Sequence, residues 1–297
     1  MDAVVVGVAL ALAGVVIGIF SGMLGIGGGT VMVPLLRIAF GFPAISATAT
    51  SLFVIIPTSV SGALSHLRRG TCLVKLGLAL GLGGAISSSL GVFLADRSPS
   101  WAIMLVAAVV IAYSAVTMLR KAIKLPKKGE VSANAASPSA VTHPGGEEGN
   151  RAEVVSANAA SPSDVTTDSD EVRLSGKALL GGVGIGLIAG FASGYVGVGG
   201  GFIMVPLMTS LLHIPIRKAS GTSLVAIIIL AIPSVIEYCL LGHVDYLAGV
   251  MLTIGTIPGA VLGTKLGTMV NERVLRFIFA GFLGIAAVLL VVRELAF

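Results

Sequence analysis

The 297 residues carry a net charge of +5 and are 55% hydrophobic but only 11% charged. Soluble domains usually hold about 25% charged residues. Charge-free runs such as Leu76 to Ala95 and Leu247 to Thr264 approach or reach the roughly 20 residues that cross a bilayer. That pattern excludes a soluble domain and defines an all-α integral membrane protein in a lipid bilayer. The net charge is uninformative about nucleic acid, because the basic residues fall in loops and at segment ends, where membrane topology explains them better; no nucleic-acid partner is expected.

In chain order, the first apolar run is Ala3 to Phe20. It opens on Met1-Asp2 without a basic stretch, which argues against a cleaved leader. Next comes "SGMLGIGGGTVMVPLL" from Ser21 to Leu36, and the same pattern returns as "SGYVGVGGGFIMVPLM" from Ser193 to Met208, ten of sixteen residues identical. Four glycines within five residues (Gly25, Gly27, Gly28 and Gly29; then Gly197, Gly199, Gly200 and Gly201) should stop a helix. Inside lipid such a stop is tolerated only where protein or a water-filled cavity covers the backbone.

The halves align at an offset of 172 residues: "ATATSL" at Ala47 meets "ASGTSL" at Ala219, and Gly70 meets Gly242. Five segments are expected in each half: Ala3 to Phe20, Gly28 to Phe40, Ala44 to His66, Leu73 to Ala95 and Trp101 to Arg120; then Gly176 to Ala192, Gly200 to His213, Arg217 to Leu241, Tyr246 to Thr268 and Val274 to Val292. An odd count makes the repeats inverted. The expectation is roughly 8–10 transmembrane helices, with a short second segment in each half. Residues 1–124 and 174–297 read as the two membrane repeats. Residues 125–173 read as a disordered linker, because eight of the fourteen acidic residues lie between Glu130 and Glu171 and "VSANAASPSAVT" (Val131 to Thr142) recurs as "VSANAASPSDVT" (Val155 to Thr166). With the linker in the cytoplasm and both termini outside, Arg37, Arg97 and Arg293 are the only basic residues on the outer side, as the positive-inside rule asks. The membrane is then the cell inner membrane.

A helix starting after each glycine cluster turns its free N–H groups and positive dipole end toward the break, which attracts anions. Thr30 follows directly. The hydroxyls of Thr50 and Ser51, and of Thr222 and Ser223, can donate to an oxyanion or serve their own helix as caps. The glycines also have a bland reading as close-packing positions, which suffices for "GLGGA" near Leu82. Glu237, an acidic residue within an apolar segment, is the candidate for coupling; the bland alternative is a hydrated residue near the outer end, or a local pair with His243. Cys72 and Cys239 suggest neither a disulfide framework nor a metal cluster. No cofactor, metal or catalytic residue is expected.

"GxGGGxxxVPLL" followed by "ATATS", repeated after a central loop, resembles the TauE/SafE family of membrane anion exporters. The second copy departs in Met208 and in "ASGTS". The resemblance covers both halves but not the linker. It implies a secondary transporter, not an enzyme, exporting sulfite, sulfoacetate or related organosulfonates from the cytoplasm. Two other classes stay open: a cation channel or carrier using Glu237, which would need a ring of carbonyls or carboxylates, and an intramembrane hydrolase, for which no nucleophile motif is present.

Overall fold

The computed structural model describes residues 3–124 and 176–296, which form one compact unit of ten α-helices, with no strand among the described residues. The helices are α1 (Ala3–Leu24), α2 (Gly29–Ile38), α3 (Ala44–Arg68), α4 (Val74–Arg97), α5 (Ser100–Lys124), α6 (Gly176–Val196), α7 (Gly201–Leu211), α8 (Ile216–Leu240), α9 (Tyr246–Met269) and α10 (Glu272–Ala296). The linker expected at 125–173 lies outside the described residues. Seven helices, α1, α3, α4, α5, α6, α8 and α9, hold a stretch long and apolar enough to cross a membrane. At 25 residues α10 has the length for an eighth. Helices α2 and α7 have 10 and 11 residues, about 15 Å of rise, half the thickness of the hydrocarbon core.

The partner of each long helix comes from the other half. Helix α1 packs on α9, and α6 on α4. Glycine makes these contacts possible. A side chain at Gly14, Gly18 or Gly22 would run into the carbonyls of Leu252, Thr256 or Ala260, and one at Gly255, Gly259 or Gly263 into those of Ala11, Val15 or Ile19. The α6–α4 seam repeats the arrangement with Gly186, Gly190 and Gly194 against the carbonyls of Leu80, Gly84 and Ser88. Small residues every fourth position let two backbones touch, which is how helices associate in lipid. "GLGGA" belongs to this seam.

The contacts also fix direction. Residue numbers rise together along α1 and α9, along α4 and α6, along α3 and α9 (Thr50 with Asp245, Thr58 with Thr256) and along α4 and α8 (Gly77 with Thr222, Gly84 with Leu230). Along α3 and α8 they run oppositely, His66 lying by Gly221 and Gly62 by Leu224. Helices α1 and α3 therefore point the same way, so the chain between them must come back. The glycine break and α2 together make that return, although α2 alone is too short to span.

Candidate functional site

The two breaks meet at mid-depth. Gly27, Gly29 and Gly199 pack against Ile55, which lies halfway along α3, and Gly27 and Gly201 pack against Ile227 of α8. They also touch each other: a Cβ on Gly29 would stand 2.8 Å from the Gly197 carbonyl oxygen, and one on Gly201 would stand 2.5 Å from that of Gly25. Space therefore requires glycine at Gly25, Gly29, Gly197 and Gly201. Conformation requires it at Gly28 and Gly200, the N-caps of α2 and α7, whose φ values of 88° and 69° are left-handed. Every residue from 21 to 30 and from 192 to 206 is buried, so the breaks are closed to solvent on both sides in this structure.

Each break joins the negative end of one helix to the positive end of the next. At each negative end three carbonyls accept from groups that recur at the 172-residue offset. For α6, Tyr238 donates to the Gly194 carbonyl (2.9 Å), Thr48 to that of Val196 (3.2 Å) and Ser51 to that of Gly197 (2.5 Å). For α1, His66 donates through Nε2 to the Gly22 carbonyl (3.0 Å), Ser220 to that of Leu24 (3.0 Å) and Ser223 to that of Gly25 (2.7 Å). A carbonyl cannot donate, so His66 carries its proton on Nε2 and its Nδ1 faces the Thr71 hydroxyl at 2.8 Å.

At the start of α7 the Gly201 N–H donates to Gly199 O (2.8 Å), but the stretch leading into each half-helix is less well satisfied. The N–H groups of Ile26, Gly27 and Gly28, and of Val198, Gly199 and Gly200, donate no hydrogen bond. The buried hydroxyls of Ser21, Thr30 and Ser193 have no partner either. Buried N–H groups without partners are rare in folded proteins. Two helix N-termini, each equivalent to about half a positive charge, lie here beside a set of idle donors in an apolar molecule.

The sequence-predicted hydroxyls behave differently from expectation. Ser51 and Ser223 each have one proton, and the carbonyls of the opposite break, with Thr48 O and Ser220 O beside them, occupy it. Thr222 donates to Lys218 O and accepts from Leu73 N, and Thr50 accepts from Asp245 N. These groups tie the halves together, with the protons of Ser51, Ser223 and Thr222 in use and Thr50 serving as an acceptor. Thr48, Ser220, His66 and Tyr238 were missed as members of the set. The offset does pair Thr48 with Ser220, hydroxyl on hydroxyl, and that signal was available.

Glu237 stands apart, ten residues past Ile227 and so about 15 Å along α8. It lines a cleft of about 590 Å³ with Ser89, Phe93, Asp96, Arg97 and Leu241. His243 pairs with Asp96 (Nε2 to Oδ1, 3.1 Å), which replaces the local His243–Glu237 pair considered from sequence. Among the described residues no three His, Cys, Asp or Glu side chains gather as a metal site.

Seven candidate spans, with two short apolar helices between them, define a multi-pass membrane protein. The profile of the sulfite exporter TauE/SafE family matches residues 10–290, and the chain belongs to that family of membrane transporters. Probable membrane transporter protein YdhB of Bacillus subtilis is 30% identical over 261 residues, covering 88% of this chain and 90% of that one. YunE of the same organism, also a probable membrane transporter protein, is 26% identical over 275 residues, covering 90% and 89%. A probable membrane transporter protein of Methanocaldococcus jannaschii is 21% identical over 290 residues, covering 93% and 92%. No solved structure matches.

Proposed function

We propose that this protein exports small sulfur-containing oxyanions, sulfite, sulfoacetate or a related organosulfonate, through a site where its two glycine breaks meet. The observation that carries this reading is the set of six buried backbone N–H groups without partners in the two breaks, just ahead of two helix N-termini. An oxyanion is the ligand that such donors fit, and it needs no buried cation there. The backbone of Gly25, Gly27, Gly28, Gly29, Gly197, Gly199, Gly200 and Gly201 forms the cradle, with Thr30 beside it. Thr50, Ser51, Thr222 and Ser223 hold its two sides in register.

The two repeats are inverted about an axis in the membrane plane, a reading supported by the opposite run of α3 and α8. The protein lies in the cell inner membrane, with residues 125–173 in the cytoplasm and both termini outside, which keeps Arg68, Arg69, Arg217 and Lys218 on the inner face. The sealed breaks are an occluded state, and transport requires them to part toward each side in turn. Glu237 lines the outer cleft, so coupling does not run through it: the anion crosses alone or carries its own proton.

Flux in proteoliposomes tests this. Sulfite, sulfoacetate, taurine, sulfate and phosphate are offered with and without a pH gradient. Saturable flux of a sulfur oxyanion supports the reading, and no flux of any of them overturns the substrate class. Gradient dependence that vanishes in Glu237→Gln would move coupling to that carboxylate.

A further inference from the structure

We propose that five hydroxyls, those of Ser21, Thr30, Ser59, Ser193 and Ser234, are held in reserve for the substrate and donate to its oxygens during transport. The inference rests on the reading of the breaks as an oxyanion site. All five residues are fully buried, and none of the five hydroxyls has a hydrogen-bond partner. Buried hydroxyls elsewhere in the bundle are satisfied: Thr58 in α3 donates to Val54 O, Ser88 in α4 to Ala85 O, Thr209 in α7 to Pro206 O and Thr264 in α9 to Ala260 O.

Their placement is not scattered. Ser21 and Ser193 are equivalent at the 172-residue offset and lie in the last turn of α1 and α6. The Ser21 Cβ is 3.5 Å from where a side chain on Gly28 would begin, so it abuts the N-cap of α2. Thr30 is in the first turn of α2 itself. Ser59 is one turn past Ile55, which touches Gly27, and less than two turns before His66, whose ring holds the Gly22 carbonyl. Ser234 is one turn past Leu230, which packs near Gly200, and one turn before Tyr238, whose hydroxyl holds the Gly194 carbonyl. Each break is thus flanked by an idle hydroxyl from the helix that precedes it and another from the helix that follows its half-helix.

A hydroxyl serves this purpose better than a cation. It can donate to a sulfonate or sulfite oxygen, it carries no charge that would hold the anion too tightly to release, and its rotor can follow a ligand as the breaks open. Together with the free N–H groups these hydroxyls would clasp the oxygen-bearing face that sulfite and sulfonates share.

Alanine substitution gives a readout that a structural role would not. A hydroxyl with no partner contributes nothing to the resting fold, so Ser21→Ala, Ser193→Ala, Ser59→Ala and Ser234→Ala should leave the melting temperature of the ligand-free full chain unchanged or raised. The same variants should lose the stabilisation conferred by sulfite or sulfoacetate, and the Ser21→Ala/Ser193→Ala pair should raise the KM for flux at least about tenfold. Ser51→Ala, which removes a used hydroxyl, is the opposite control. If the alanine variants bind and transport like wild type while wild type responds to a sulfur oxyanion, this inference is overturned and the functional reading stands. If wild type itself responds to none, the functional reading fails. A ligand-free melting temperature lowered as far as in Ser51→Ala would make these hydroxyls structural and also overturn the inference.

Discussion

Ser51 and Ser223 carry the sharpest prediction about how the breaks are held. Each hydroxyl reaches across to the carbonyl just past the end of a helix in the other half, Ser51 to Gly197 at 2.5 Å and Ser223 to Gly25 at 2.7 Å. Alanine at either position leaves a buried carbonyl unsatisfied at a helix C-terminus, a loss of about 1–3 kcal/mol. In a chain of this size each kcal/mol moves the melting temperature by about 2–4 °C, so a single variant should melt about 2–12 °C lower. The double variant should fall further, with non-additivity, because the two breaks are in contact. Thermal unfolding of detergent-purified protein, with and without sulfite, measures both quantities. The ligand-free melting temperature should drop while sulfite still stabilises each variant. An unchanged melting temperature with the sulfite effect abolished would refute the reasoning and return these hydroxyls to the substrate.

His66 and Tyr238 are unlike in chemistry but equivalent in position and task, so His66→Tyr should fold and melt close to wild type, whereas His66→Ala frees the Gly22 carbonyl and should melt several degrees lower by the same assay. Gly22→Val places a side chain on the Ala260 carbonyl and should abolish folded protein on size-exclusion chromatography. Cys72, in the turn between α3 and α4, has its thiol pushed up to about 11, first by burial. Maleimide labelling at neutral pH should therefore be slow and should quicken about tenfold per pH unit up to that value. The sign for stability follows: the unfolded thiol ionises near its ordinary value of about 8.5 while the folded one does not, so this residue's contribution declines as pH rises above that point. A Cys72→Ser variant should lose that part of the pH dependence.

The sequence exposed the features that depend on local pattern. The doubled "GxGGG" located both breaks, because glycine at that density cannot continue a helix, and the segment boundaries fell within a few residues of α1 to α10. The 172-residue offset exposed the repeat. What stayed hidden depends on contacts between halves. "SATATS" and "KASGTS" look like local caps, yet their hydroxyls reach carbonyls about 150–200 residues away in the chain, and spacing says nothing of that distance. The equivalence of His66 with Tyr238 was invisible because an imidazole and a phenol do not read as the same residue. Asp96 took the place of Glu237 as partner of His243 because α4 brings a carboxylate from the other half to the end of α8. The idle hydroxyls of Ser59 and Ser234 carry no motif; a hydroxyl without a partner is recognised only once its surroundings are known.

The central claim is that a negatively charged oxygen group binds between the two breaks. The most direct test is a structure of the full chain with selenite, a heavier analogue of sulfite, located by its anomalous scattering. The account predicts one principal peak at mid-depth, within hydrogen-bond reach of the backbone N–H groups of residues 26–28 or 198–200. A selenite peak confined to the cleft beside Glu237, with Gly29 still closed on Gly197, would contradict it.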